Sequence, residues 1–195
     1  MQRIRNLKNK YQKRLIRPLY AQTQATPYAA VLDDTLRDSE GTYVLTGASF
    51  KLKGGLVPGT VMVAKGEKVL VATGADPAAA FVVNAAATQG GPLAFGLLAN
   101  FVGGELDDLG DENYVGVWRG PDSVFEILAP GFNDTGLSAA WTAATAGNPV
   151  PLYAGLDGRL TYLAPGAHPA AGNKQVVAYL IERPSASRIV VDLKV

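Results

Sequence analysis

Residues 188–193 read Arg188-Ile189-Val190-Val191-Asp192-Leu193, and their alternation sends Ile189, Val191 and Leu193 to one side of an extended chain. Just upstream, Val176–Ile181 is a second apolar run of strand length. Working back towards the N-terminus, the same texture recurs in Leu160–Leu163, Val150–Tyr153, Val124–Leu128, Tyr114–Trp118 and Leu93–Leu98. It continues through Phe81–Asn84, Val69–Ala72, Val61–Val63 and Tyr43–Leu45. These runs are rich in Val, Leu, Tyr and Phe, side chains that suit a pleated, half-buried surface. Short strands at this spacing predict a mainly all-β domain over residues 43–195, a compact β-sandwich or small β-barrel.

The punctuation between the runs supports that reading. Leu56-Val57-Pro58-Gly59, Leu128-Ala129-Pro130-Gly131 and Leu163-Ala164-Pro165-Gly166 each place Pro-Gly after an apolar pair. Pro presets φ at the second turn position and Gly accepts positive φ at the third, as a type II turn requires. Asp157-Gly158 ahead of Arg159-Leu160-Thr161 reads as a hairpin turn feeding a strand. Two Ala-rich stretches, Ala75–Ala87 and Leu137–Ala146, leave room for one or two short helices.

Composition narrows the class. The 195 residues suffice for one domain with a real core, or a smaller domain and a tail. The 22 Gly and 12 Pro suit strands joined by tight turns. There is no Cys, which removes disulfide frameworks, thiolate metal sites and thiol nucleophiles together. No apolar run approaches the ~20 residues of a membrane-spanning helix, and no apolar segment of a secretory signal follows the basic start.

The net charge of +1 conceals an asymmetry. Residues 1–20 hold Arg3, Arg5, Lys8, Lys10, Lys13, Arg14 and Arg17, and no acid precedes Asp33. The remainder is therefore acidic, a body joined to a basic arm. Ile4, Leu7, Tyr11 and Leu15 fall on one helical face, so a short basic amphipathic helix is expected over about residues 2–17, ending before Pro18. An extended linker is expected from there to residue 42. The arm could dock on an acidic neighbouring subunit, neutralise nucleic-acid phosphates, lie on an anionic membrane, serve as a presequence, or be a solvated terminus. Tyr11 is the single aromatic among its cations down to Arg17, a weak pattern for nucleic acid.

Chemistry-bearing residues are few. His168 is the sole histidine and sits in a Gly/Pro-rich loop, without any G-x-S-x-G elbow in the chain to partner it. Asp134-Thr135-Gly136 matches the aspartic-protease tripeptide, yet Asn133-Asp134-Thr135-Gly136 is equally good turn chemistry. Glu105, Asp107, Asp108, Asp111 and Glu112 gather five carboxylates without the spacing of a calcium loop. They read as a solvated acidic loop, or as an acceptor patch for a basic arm. No phosphate-binding glycine motif is present. No catalytic, cofactor or metal residue is expected.

Four segments of the C-terminal half carry a resemblance. They are Gly147-Asn148-Pro149-Val150-Pro151-Leu152-Tyr153, Asp157-Gly158-Arg159-Leu160-Thr161, Val176-Val177-Ala178-Tyr179-Leu180-Ile181-Glu182 and the strand 188–193. In that order they resemble the closing pattern of tailed-phage capsid cement and decoration proteins, with Ala178 standing where Gly is common. Ala94-Phe95-Gly96-Leu97-Leu98 and Val117-Trp118-Arg119-Gly120 are similar to an upstream pair in related domains. The resemblance spans residues 43–195 and leaves 1–42 uncovered. It implies a non-enzymatic virion protein on the outer capsid surface, made in the host bacterial cytoplasm. Such a protein would bind the major capsid protein, bridge neighbouring capsomers, and self-associate as trimers or clusters at symmetry axes. Arg3, Ile4, Arg5, Leu7, Lys8, Tyr11, Lys13, Arg14, Leu15 and Arg17 are then the expected partner-binding residues. Membrane and nucleic acid are not the expected partners. Another phage component (tail, connector or head-fibre base) and a hydrolase using Asp134 or His168 are the alternatives.

Overall fold

The computed structural model describes residues 15–20, 26–32, 43–45, 50–52, 56–65, 67–71, 94–101, 114–144, 148–155, 158–162 and 175–195. Strands dominate: β1 (Ile16–Pro18), β2 (Tyr28–Leu32), β3 (Tyr43–Leu45), β4 (Phe50–Leu52), β5 (Val61–Lys65), β6 (Lys68–Val71) and β7 (Ala94–Leu98). There follow β8 (Tyr114–Trp118), β9 (Ser123–Leu128), helix α1 (Leu137–Ala143), β10 (Val150–Ala154), β11 (Leu160–Thr161), β12 (Ala178–Ser185) and β13 (Arg188–Leu193). The all-β expectation holds, and the fold has both a barrel and a second large sheet. A six-stranded sheet runs β1-β9-β13-β12-β10-β11, while β2-β6-β5-β7-β8 close into a barrel. A separate hairpin pairs β3 with β4. Among the described residues, all strand pairs are antiparallel except β2 with β6.

Two apolar clusters follow from strand periodicity. Alternation along β13 sends Ile189, Val191 and Leu193 into the larger one, as their spacing predicts. Phe125 and Ile127 of β9 and Leu152 of β10 join them there. The barrel contributes the facing surface through Val61, Val63, Ala94, Leu97 and Trp118. The smaller cluster fills the barrel with Leu32, Leu56, Met62, Val69, Leu98, Val115 and Val117. Strand β5 therefore has two apolar faces, Val61 and Val63 towards the sheet and Met62 towards the barrel interior. In β7 a register shift opposite Met62 and Val63 breaks the alternation, so Ala94 and Leu97, three residues apart, both face the larger cluster, while Leu98 faces the barrel interior. Gly96 lies at this bulge because a β-carbon there would meet the Trp118 carbonyl oxygen at 2.2 Å.

Three strands lie where none was expected. Phe50–Leu52 forms β4, and two more fall in the segment read as helix and linker. Ile16–Pro18 is strand rather than the last turn of a helix, and Tyr28–Leu32 closes the barrel between β6 and β8. The physical reason is burial. Ile16 faces Ile127 and is 3% exposed, a gain that helical pairing on a solvated arm could not supply. Pro18 fits because its hydrogen-bonding neighbours to β9 are Leu15 and Leu19, leaving the proline nitrogen at the outer edge of the sheet. The expected boundary between residues 42 and 43 is thus crossed by both layers. The expected helix over residues 2–14 lies outside the described residues, as do Phe81–Asn84 and Ala75–Ala87. Leu137–Ala143 of the second Ala-rich stretch is helical, with Leu137 buried in the larger core.

The turns hold the layers together. Val57-Pro58-Gly59-Thr60 is the expected type II turn: Gly59 has φ 96° and Thr60 N–H donates to the Val57 carbonyl at 3.1 Å. The second Pro-Gly differs, because Ala129–Pro130 is cis and Gly131 N–H donates to Leu128 at 2.8 Å. Pro130 thereby takes the third turn position and Gly131 the fourth. These two turns touch backbone to backbone. A β-carbon on Gly59 would lie 2.4 Å from the Gly131 oxygen, and one on Gly131 would lie 2.5 Å from the Pro58 oxygen. At the β10–β11 hairpin Gly158 has φ 73°, and its carbonyl accepts the Val61 N–H at 2.7 Å, tying the sheet to β5. The third Pro-Gly, at residues 165–166, lies outside the described residues.

Gly59→Ala combines positive φ with a backbone clash. It should cost about 2–4 kcal/mol, read as a lower urea midpoint at unchanged slope.

Candidate functional site

A carboxylate on the face of the six-stranded sheet turned away from the core is the centre of the best-formed polar site. Glu126 sits mid-strand in β9, between Phe125 and Ile127, whose side chains point the other way into the core. Its cross-strand partners are Arg17 of β1 and Val190 of β13. Arg17 grips it with both ends of the guanidinium, Nε to Oε1 at 2.7 Å and Nη2 to Oε2 at 3.1 Å. Arg188, a diagonal neighbour on β13, donates its Nε to Oε2. The Glu126 side chain is 5% exposed while Arg17 and Arg188 are 55% and 42% exposed, so two half-solvated cations lie over one buried anion. The Arg17 hydrogen bonds hold the Glu126 carboxyl below the usual range against the opposing effect of burial, and Arg188 adds to the depression.

Of the expected partner-binding residues, this places Leu15 and Arg17 only. Leu15 is half-buried and its carbonyl accepts the Leu128 N–H at 2.6 Å. Arg17 meets an acidic group of its own chain, so charge complementarity between arm and body is realised internally at this position. Arg3, Ile4, Arg5, Leu7, Lys8, Tyr11, Lys13 and Arg14 lie outside the described residues. So do Glu105, Asp107, Asp108, Asp111, Glu112 and His168.

Asp134 has a defined partner. Arg183 of β12 donates Nη2 to Oδ1 and Oδ2, each at 2.8 Å. The Asn133 side chain accepts the Thr135 N–H at 3.0 Å, and Gly136 takes φ 75° before α1. The tripeptide is thus the entrance to a helix, carrying an ion pair to β12. At the far end of the sheet Lys194 reaches Asp122 at 2.5 Å and Asp192 at 2.8 Å, which raises its pKa. Among the described residues, no three His, Asp or Glu side chains are grouped to hold a metal, and no helix is long and apolar enough to cross a membrane.

Aromatic surface is found at the barrel. The Arg119 guanidinium lies 4.3 Å from the Phe95 ring centre and 5.7 Å from that of Tyr28. Tyr28 is itself exposed, as are Tyr20, Phe101 and Tyr114. Sequence reasoning passed over Glu126, Arg188 and this cluster. A signal for the first existed: a lone Glu inside Val124-Phe125-Glu126-Ile127-Leu128 needs a cation once the strand is packed.

The described surface carries the edge strand β1, the Glu126 carboxylate shared by two arginines, and exposed aromatic rings. The phage cement protein family matches residues 3–195, nearly the whole chain, and the chain belongs to that family. It is a structural protein of the phage capsid. Comparison with curated proteins and with solved structures returns no match.

Because folding depresses the Glu126 pKa, its contribution is present above the unfolded-state value and disappears as pH falls through the folded one. Glu126→Gln should therefore lower the melting temperature at pH 7. The gap to the parent protein should close on acidification below about pH 4, the ordinary carboxylate range.

Proposed function

We propose that this protein binds the major capsid protein from the outer face of the shell and stabilises the shell by bridging neighbouring capsomers. The observation that carries the reading is the family match over residues 3–195. The distribution of charge supports it. Six basic residues, Arg3 to Arg14, precede the first described residue, and the body that follows is acidic. β1 ties the chain immediately after them to the edge of a sheet. A contact segment rooted in this way transmits load to the β-layers rather than to a loose linker. Residues 1–14 are the proposed contact with a neighbour, and the carboxylates from Glu105 to Glu112 are the proposed acceptor for a neighbour's cations. Self-association as trimers or clusters at local symmetry axes, and synthesis in the host bacterial cytoplasm, belong to the same proposal. No cofactor enters it.

Co-sedimentation with shells stripped of this protein tests the reading. The full chain should saturate at a fixed ratio to the major capsid protein. A chain starting at Leu15 keeps β1 and β2, and should bind at least tenfold more weakly with an unchanged melting temperature. Failure of the full chain to bind shells would move the protein elsewhere in the virion. Equal binding by both chains would remove residues 1–14 from the contact.

A further inference from the structure

We propose that β1 is an exchangeable strand, so that the β9 edge accepts the Ile16-Arg17-Pro18 segment of a second copy of this chain as well as its own. The proposal rests on the bridging role above for its setting on the shell. The partner is identified by fit: a short extended segment with an apolar side chain on one face and an Arg on the other.

The β9 edge is built for one such segment. Its ladder receives Leu15, through the Leu128 N–H, and supplies the Val124 carbonyl to the Leu19 N–H at 3.0 Å. Between these bonds Ile16 is received against Ile127 on the core face, and Arg17 is received by Glu126 on the other. Emptied, the edge would expose the apolar surface that Ile16 covers and leave Glu126 with Arg188 alone, so refilling is favourable whichever chain supplies the strand.

β1 is also short and lies at an edge. Three residues pair, all with β9, at the margin of the sheet. Every contact named here is between β1 and the β9 edge, and none depends on the two belonging to one chain. The choice between a chain's own strand and a neighbour's is then set by effective concentration. Copies arrayed on a shell raise the neighbour's share. The nine residues between Pro18 and Tyr28 span at most about 30 Å, which limits exchange to adjacent copies. Pro18 has no N–H to offer a further strand, so a filled edge stops there instead of growing a filament.

The chain contains no Cys, so single cysteines report unambiguously. Leu15→Cys and Leu128→Cys are placed in separate full-length copies carrying tags of different mass. The copies are unfolded and refolded together, then oxidised in concentrated solution and on shells. A Leu15→Cys/Leu128→Cys double variant in one chain checks that the pair is within disulfide reach. Exchange predicts a mixed disulfide-linked dimer several-fold above the share that random collision gives, lost when the Leu128→Cys copy also carries Glu126→Ala. Mixed dimer at the random share, beside efficient internal linking in the double variant, would overturn the proposal. Shell binding measured on the same samples separates the two ideas: binding without mixed linkage refutes exchange alone, and absence of binding refutes the bridging role while the solution arm still decides exchange.

Discussion

Strand β5 has its apolar side chains on both faces, and the rest of the molecule is arranged around that constraint. Val61 and Val63 are 0% exposed against the six-stranded sheet, while Met62 is 0% exposed inside the barrel. A strand buried on both faces cannot belong to one layer only. It makes the barrel wall the roof of the sheet's core, so neither layer keeps its packing without the other. The Gly59–Gly131 backbone contact sets how closely they approach. The Val61 hydrogen bond to Gly158 fixes where along β5 the sheet's hairpin sits. Such coupling suits a shell protein, in which a load applied at one surface has to reach another without local yielding.

Charge on the sheet's outer face is organised by the same logic of burial. The carboxylate in the middle of β9 points away from the core and is covered by two cations. One arrives from β13, the neighbouring central strand, and the other from β1, which adds itself to the edge. This arrangement converts the last basic residue of the arm into part of the body. It also seats the segment that follows the basic residues on the β9 edge: Ile16 covers one face of the strand and Arg17 the other. Asp134 with Arg183, and Lys194 with Asp122, link segments distant in sequence, and Lys194 also reaches Asp192 two residues away.

Membership of the phage cement protein family fits a molecule of this construction. Holding a shell together asks for area, stiffness and complementary charge rather than convergent reactive groups. Asp134 opens a helix and pairs with an Arg, with its neighbours in a tight turn.

Most of the β-texture was legible because it is local. Tyr114–Trp118 and Arg188–Leu193 announce themselves by composition and period 2, and both are strands over those same residues. Gly59 was legible because a type II turn demands positive φ at one position. Glu126 was legible in part, as a lone acid among apolar neighbours, but its two cations lie 109 and 62 residues away. The amino-acid sequence by itself determined an all-β body, the core-facing side of its last strand, the type II turn at Pro58-Gly59 and the separation of basic from acidic charge. Only the tertiary structure decided that Ile16–Pro18 and Tyr28–Leu32 are strands, that a barrel shares its wall with a sheet, and that Arg17 pairs with Glu126 of its own chain. The physical reason is that β1 has three residues and β2 reads Tyr-Ala-Ala-Val-Leu, so neither carries a strong local preference for an extended conformation. Each exists because a distant strand, β9 or β8, offers it hydrogen bonds and an apolar face.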